Sequence, residues 1–112
     1  MMIISSQQYI NDQIVAEKIE ALKASGVSFV EIPCEEVGEL NGEECLIQVD
    51  GHHTLAAAHE LDLEVRFVDN GKVEDYDSYT TTDERLEAHY ADGEYYNVET
   101  SNPYLYDFDL IF

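Results

Sequence analysis

The sequence predicts a small α/β (α+β) protein in which two or three helices pack on a mixed β-sheet. Apolar residues make up 45% of the 112 residues, which is enough material for a hydrophobic core. One segment repeats apolar residues at helical spacing, and several short segments rich in β-branched residues lie between turn signals. No repeat or low-complexity stretch divides the chain, so we expect a single domain over 1–112.

The first part of the chain, 1–68, alternates predicted strands and helices. The helix assignments rest on an N-cap at Asn11, on the stop signal Gly26 and on the alanine run 56–58. Pro33 is expected to end the second strand, because proline has no N–H to donate to a ladder. The predicted elements are, in order, a strand over Met2–Ile4, a helix from Asn11 to Ser25, a strand over Val27–Ile32, a polar connection over Glu35–Glu44 with a turn at Asn41-Gly42, a strand over Cys45–Val49, a helix from His52 to Leu61, and a strand over Leu63–Phe67 closed by Asn70-Gly71.

The second part, 69–112, is an acidic and tyrosine-rich extension of that core. It holds 12 acidic residues, two basic residues and seven of the eight tyrosines. Thr81 and Glu84 form a capping-box pattern, which predicts a helix over 82–91 ended by Gly93. Strands are predicted over Glu94–Thr100 and Tyr104–Phe112. Alternation along the last strand would place five apolar side chains on one face: Tyr104, Tyr106, Phe108, Leu110 and Phe112.

Charge limits the classes of partner. The 25 acidic and five basic residues leave a net charge of −20, and the basic residues are scattered. Such a surface repels phosphates, so we expect no direct binding of nucleic acid. No apolar run approaches the ~20 residues of a membrane span, and the N-terminus lacks a signal-peptide pattern. We therefore expect a cytoplasmic protein with no membrane partner.

The two cysteines, Cys34 and Cys45, fit neither a redox pair nor a disulfide framework. A single disulfide between them is one interpretation, and two buried free thiols are the favoured one. His59 and His89 show no ligand spacing and are expected at the surface. Tyr95-Tyr96 could belong to the core or to a recognition face, and we favour the core.

The segment 46–61, LIQVDGHHTLAAAHEL, resembles the ParB/sulfiredoxin-like family. In that family an apolar strand leads into a D-G-H-H-R-x-x-A-A turn and helix, followed by another strand. The resemblance covers about residues 13–68. It implies that Gly51, His52, His53 and Thr54 would cradle a nucleotide phosphate, with the family's arginine replaced by Thr54.

The missing arginine argues against the family's nucleotide-dependent activity. Loss of a charged hydrogen-bond donor costs on the order of 1.5–3 kcal/mol of binding, and Asp50 and Glu60 add repulsion of an anion. We therefore carry over the fold and expect no cofactor. His52 and His53 could also form a general base or a metal pair, but adjacent helical side chains point about 100° apart. Capping and packing are the favoured roles, and no metal site or catalytic residue is expected.

The one-sided charge of the extension motivates the leading functional hypothesis. Alternate residues along a strand lie about 6–7 Å apart, which is of the same order as the step between neighbouring phosphates. Asp75 with Asp77, and Asp107 with Asp109, could present such pairs. Asp83, Glu84 and Glu87 would add a helical cluster. The seven expected partner-binding residues are Asp75, Asp77, Asp83, Glu84, Glu87, Asp107 and Asp109.

A rigid acidic surface of this kind predicts a non-catalytic inhibitor that imitates nucleic acid, of the anti-CRISPR or anti-restriction type. Its partner would be a basic nucleic-acid-binding protein or complex. The alternative is a nucleotide-binding enzyme or switch of the ParB/sulfiredoxin-like type. A third possibility is an acidic assembly or regulatory subunit, and the aromatic final residues could also pair across a homodimer.

Overall fold

The computed structural model describes all residues from Met1 to Phe112 and confirms the predicted fold class. It contains three helices and a five-stranded mixed sheet. None of the helices has the length and apolar character that crossing a membrane requires. The elements are β1 (Met2–Ser5), α1 (Asp12–Ser25), β2 (Phe29–Leu40), β3 (Glu43–Gln48), α2 (His52–Glu60), β4 (Glu64–Lys72), α3 (Thr82–Ala88) and β5 (Tyr96–Asn97), with two short 3₁₀ turns at Tyr76–Ser78 and Pro103–Leu105.

The strands lie in the order β4-β2-β3-β1-β5. β2 pairs parallel with β4 and antiparallel with β3, while β1 pairs parallel with β3 and antiparallel with β5. β1 and β3 therefore end at the same edge of the sheet, at Ser5 and Gln48. α2 starts directly beyond that edge, which is the usual place for a ligand site in sheets of this kind.

The sheet is covered on both faces. On one face, Ile3, Ile32 and Leu46 pack against Leu55 of α2 and, through further contacts, against α1. On the other face, side chains of β1, β2 and β3 pack against Leu86 of α3 and against residues of the extension. The buried members of that second cluster are Ile4, Val37, Cys45, Ile47, Val73, Leu86 and Tyr95.

The helix boundaries follow their caps. The Asn11 side chain accepts hydrogen bonds from the N–H groups of Gln13 and Ile14, and Gly26 ends α1 in the left-handed conformation, as predicted. The N-cap of α3 is also confirmed at Thr81, whose hydroxyl accepts from the Glu84 N–H, although the Glu84 carboxylate binds the Thr81 hydroxyl and not its N–H. α3 ends at Ala88, three residues before the predicted end at Ala91.

The predicted polar connection over Glu35–Glu44 is wrong, because β2 continues through Pro33 to Leu40. Pro33 lacks an N–H, but its carbonyl still accepts a hydrogen bond from the Val49 N–H, so the ladder is not interrupted. A β-bulge lies between Glu36 and Gly38. The turn at Asn41-Gly42 is confirmed, with positive φ at both residues.

The predicted end of β4 at Asn70-Gly71 is also wrong. β4 continues to Lys72, which pairs with Glu36 beyond a shift in register. Gly71 adopts a φ of 91°, and its N–H bonds to the Asp69 side chain within the strand. The glycine therefore accommodates an irregularity in the ladder and does not end the strand.

Neither strand predicted near the C-terminus forms at full length. Of Glu94–Thr100 only β5 is a strand, and in place of Tyr104–Phe112 there are a 3₁₀ turn and isolated bridges. Tyr106 reverses the chain with a φ of 57°. The alternation therefore fails, because Phe108 packs on Tyr96 whereas Tyr106 and Phe112 are 72% and 75% exposed.

The cysteines and the paired tyrosines lie where the favoured interpretations put them. Cys34 and Cys45 are both free and buried, and burial raises the pKa of the Cys34 thiol to about 12. Tyr95 and Tyr96 are core residues, on opposite faces of the sheet. The hydroxyl of Tyr95 donates to the Leu86 carbonyl at 2.6 Å.

Candidate functional site

The turn from β3 into α2 depends on a glycine. Gly51 is the N-cap of α2 and adopts φ 80° and ψ 19°, a left-handed conformation that L side chains rarely adopt. A Cβ atom on Gly51 would lie 3.2 Å from Cδ1 of Ile32, in the core below the turn. The turn is therefore constrained by its backbone conformation and by packing.

We expect Gly51→Ala to destabilise the protein by about 1–2 kcal/mol, because the left-handed backbone and the contact with Ile32 both oppose a methyl group. Gly42→Ala is the matched control, since Gly42 has the same φ of 80° and open space around it. Urea denaturation of both variants separates the contact from the backbone cost. Equal losses would contradict a role for the contact.

The start of α2 presents a carboxylate and no basic side chain to an anion. The Gly51 N–H donates to the Asp50 carboxylate at 2.7 Å, so a carboxylate of the chain stands beside the turn. Thr54 is half-buried and brings no charge. The adjoining cavity of about 240 Å³ is lined by Ser5, Gln48 and His52 among others, with no lysine or arginine.

The two histidines of this turn contact different elements. Nε2 of His52 lies 3.0 Å from the Ser5 hydroxyl at the end of β1, and Nε2 of His53 accepts a hydrogen bond from the Asn11 N–H at the start of α1. Burial, followed by the proximity of His53, lowers the pKa of His52 to about 4. His52 is therefore neutral at pH 7, and both side chains link the start of α2 to neighbouring elements.

Gln48 forms the floor of the same cavity and is only 4% exposed. Its Nε2 donates to the Asp50 carbonyl at 3.1 Å, which fixes the orientation of the amide because a carbonyl can only accept. Its Oε1 has no hydrogen-bond partner. Gln48 therefore brings no charge to the cavity, and its Oε1 is a buried acceptor without a partner.

Two of the predicted partner-binding acids form hydrogen bonds with other residues of the chain. Asp75 lies 2.7 Å from Nε2 of His89, and this hydrogen bond lowers the pKa of Asp75. Glu84 accepts hydrogen bonds from the hydroxyls of Thr80 and Thr81, which lower the pKa of Glu84. The Glu84 carboxylate is therefore bound at the start of α3, and the Asp75 carboxylate is bound to the residue that follows α3. His89, expected at the surface, is half-buried because of its contact with Asp75, whereas His59 is exposed as expected.

The remaining predicted acids face solvent. Asp77, Asp83, Glu87 and Asp107 are exposed and form no ion pair. Asp109 is exposed as well and accepts a hydrogen bond from the Thr100 hydroxyl.

The strand spacing expected for two pairs of acids is wrong. Asp75 is the N-cap of the 3₁₀ turn that contains Asp77. Asp107 follows the left-handed residue Tyr106, and no strand joins it to Asp109. The separation of alternate residues in an extended strand therefore does not apply to either pair.

The basic residues are largely used within the fold. Arg85 is 8% exposed, and its guanidinium donates to the carbonyls of Tyr76, Val37 and Tyr79 at 2.9, 3.2 and 3.0 Å. It also stacks 3.6 Å from the centre of the Tyr76 ring. Gly38 makes room for the guanidinium, because a Cβ there would lie 3.0 Å from Nη1 of Arg85. The positive charge of Arg85 is therefore held inside the molecule.

Three of the other four basic residues also have partners. Arg66 pairs with Glu64 at 3.0 Å, and Lys23 lies 3.9 Å from Glu20. Lys72 lies over the Tyr76 ring at 4.6 Å. Lys18 is the one basic side chain without an ion pair or an aromatic contact.

The structure also forms an acidic cluster that the sequence analysis missed, which we call the strand triad. Glu36 on β2, Glu44 on β3 and Asp69 on β4 lie on three adjacent strands, and their carboxylate oxygens are all within 4.8 Å of one another. Burial, the Asp69 carboxylate and the Glu44 carboxylate raise the pKa of Glu36. Oxygens at this spacing are of the type that hard divalent cations bind. The register of the strands brings these residues together. The sequence analysis could not find the cluster, because the strands it predicted ended before Glu36 and before Asp69.

Comparisons with protein-family models, with curated proteins and with solved structures gave no match.

Proposed function

We propose that this chain is a non-catalytic acidic protein that occupies the nucleic-acid channel of a basic protein or complex and blocks it, in the manner of anti-CRISPR or anti-restriction inhibitors. The observation that carries the proposal is a dense negative surface with only five basic residues, of which all but Lys18 already have a partner within the chain. The ParB/sulfiredoxin-like resemblance concerns the scaffold alone and carries no part of the proposed activity.

The charge density supports imitation of a duplex. The molecule is 45 Å long and 25 by 21 Å across. Its net charge of −20 corresponds to one negative charge per about 2.3 Å of the long axis. Duplex DNA carries one per about 1.7 Å of its axis. The two linear densities are of the same order, so a channel that neutralises DNA would find a comparable charge on this protein.

Surface carboxylates of this molecule have few cations to pair with. The Arg85 guanidinium is engaged by carbonyl groups in the interior and forms no ion pair. The strand triad, by contrast, keeps three acidic side chains together with no basic residue paired to them. A basic partner would relieve that repulsion on binding, which favours association with cationic surfaces.

A salt-controlled capture experiment tests the proposal. The immobilised protein is exposed to extract of its host at about 50 mM and 500 mM salt, and each captured protein is then purified. We expect a partner whose affinity falls at least tenfold between these concentrations, because the contact is electrostatic. Duplex or single-stranded nucleic acid should displace the chain from that partner.

Charge reversal locates the surface. Replacing Asp77, Asp83 and Glu87 together by lysine should weaken binding to the purified partner more than tenfold. The matched control replaces Glu17, Glu20 and Glu60, exposed acids of α1 and α2, and changes the net charge equally.

Two outcomes would contradict the proposal. Equal effects of the two triple variants would show that Asp77, Asp83 and Glu87 do not form the binding surface. A partner that holds nucleic acid and this chain at once would contradict blocking. A rise in Tm with nucleoside triphosphate and magnesium would instead support the nucleotide-binding alternative.

A further inference from the structure

An open cavity of about 390 Å³ lies between α3 and the end of the chain. Four of its six lining residues come from α3 and the residue two positions beyond it, at spacings of three, four and seven residues: Asp83, Leu86, Glu87 and Tyr90. Asp83, Leu86 and Glu87 share one face of α3, and Tyr90 joins them from two residues beyond its end. Tyr95 and Phe112 complete the lining.

The aromatic walls of this cavity meet at a steep angle. The rings of Tyr90 and Tyr95 have centroids 6.5 Å apart and planes inclined at 73°. Tyr95 is buried, and its hydroxyl is fixed by the Leu86 carbonyl. Tyr90 is 55% exposed and Phe112 is 75% exposed, so the two outer walls present ring surface to solvent.

Two carboxylates stand at the mouth of the same cavity. Asp83 and Glu87 are four residues apart on α3, both are exposed, and neither has an ion-pair partner. We call the combination of Tyr90, Tyr95 and Phe112 with these two acids the α3 cage. Its chemistry is a set of ring faces, which are electron-rich, next to two uncompensated negative charges.

We infer that the α3 cage binds the guanidinium group of an arginine that projects from the partner protein. A guanidinium stacks on aromatic faces and donates paired hydrogen bonds to carboxylates, so both halves of the cage address the same group. The inference rests on the proposed function for the identity of the partner as a basic protein. Within that function, the cage provides an anchor at the centre of an otherwise diffuse electrostatic contact.

The experiment uses the whole chain and a small probe, N-acetyl-arginine amide, with N-acetyl-citrulline amide as an uncharged analogue of nearly the same shape. Titrations are followed by the NMR signals of the tyrosine and phenylalanine rings. We expect the arginine probe to shift the Tyr90 and Phe112 ring signals with saturation at millimolar concentration. The citrulline probe should produce at most a tenth of that binding, because it carries no charge.

Variants separate the rings from the acids. Tyr90→Ala should weaken binding of the arginine probe by about threefold or more, and Tyr90→Leu, which keeps apolar volume without a ring, should do the same. Glu87→Gln should also weaken it. Tyr9→Ala removes another exposed tyrosine, distant in sequence and outside the cavity, and should leave the titration unchanged.

Equal binding of the two probes would overturn the inference, and so would an arginine response that survives Tyr90→Ala and Tyr90→Leu. If the arginine probe does not bind, but a partner that is sensitive to salt and competes with nucleic acid is still captured, the inference about the α3 cage is wrong and the proposed function is supported. If the arginine probe binds as expected but no captured partner competes with nucleic acid, the proposed function falls and the cage stands.

Discussion

Arg85→Ala is expected to lower the free energy of unfolding by about 3–5 kcal/mol, the largest effect of any single substitution considered. The guanidinium donates hydrogen bonds to three carbonyls: those of Val37 on β2 and of Tyr76 and Tyr79 before α3. Truncation would leave these acceptors without their charged donor in a largely buried site. It would also remove the ring contact with Tyr76.

Arg66→Ala is the matched control, because both substitutions remove one positive charge from the same acidic protein. Arg66 is exposed, forms one ion pair with Glu64 and stacks on Phe29, so we expect a loss below about 1 kcal/mol. Arg85→Lys should recover less than half of the loss at Arg85, since an ammonium group cannot reach three carbonyls in the planar geometry of a guanidinium. Urea denaturation followed by far-UV circular dichroism measures all three. Similar losses for Arg85→Ala and Arg66→Ala would show that the buried contacts contribute little.

The second large effect concerns pH and His52. Its pKa is about 4 in the folded protein against about 6.5 in an unfolded chain, because burial opposes the charged form. The unfolded state therefore binds the proton first as pH falls. Stability from this group is complete above about pH 6.5 and decreases by up to about 1.4 kcal/mol per pH unit down to about pH 4. The total loss is about 3 kcal/mol.

The His52→Gln variant isolates this contribution, because the carboxylates that titrate in the same range are common to both proteins. Wild type should lose stability relative to His52→Gln between pH 7 and pH 4.5, measured by urea denaturation at each pH. His59→Gln, at an exposed position, should run parallel to wild type. A direct NMR titration should place the His52 pKa at about 4. A stability difference that does not change with pH would contradict burial of a neutral His52.

Local signals predicted those parts of the fold that local interactions determine. Asn11, Gly26 and the Thr81–Glu84 pair each satisfy backbone groups within a few residues, and their helix ends lie where the sequence indicated. The extension of β2 beyond Pro33 could not be predicted in this way. Its Glu-rich half is a strand because β3 and β4 offer hydrogen bonds on both sides, and that pairing depends on residues far along the chain.

The strand predicted over Tyr104–Phe112 is absent for a related reason. Its alternating aromatic residues have the pattern of a strand, but Tyr106 takes a left-handed turn and Phe108 finds a place against Tyr96. A tertiary contact available to one ring outweighed the local preference of the segment for extended backbone. Predicted alternation is informative only where a neighbouring strand is present to pair with it.

In the candidate sites too, features set by local sequence were predicted and features set by long-range contacts were not. The exposure of Asp83 and Glu87 follows from their places on a short amphipathic helix, so the sequence predicted them. The engagement of Asp75 by His89, 14 residues away, required the fold of the intervening 3₁₀ turn and α3. The strand triad required the register of three strands.

The packing of the second sheet face has a consequence for how this protein can be dissected. The segment from Val73 to Ile111 supplies both the exposed carboxylates and the apolar side chains that shield Ile4, Cys45 and Ile47 from water. A shortened chain without that segment would expose one side of its sheet and be prone to self-association, so its failure to bind a partner would say nothing about the lost acids. Mapping by deletion is therefore unsuited to this molecule, and individual side-chain replacements are the appropriate tool.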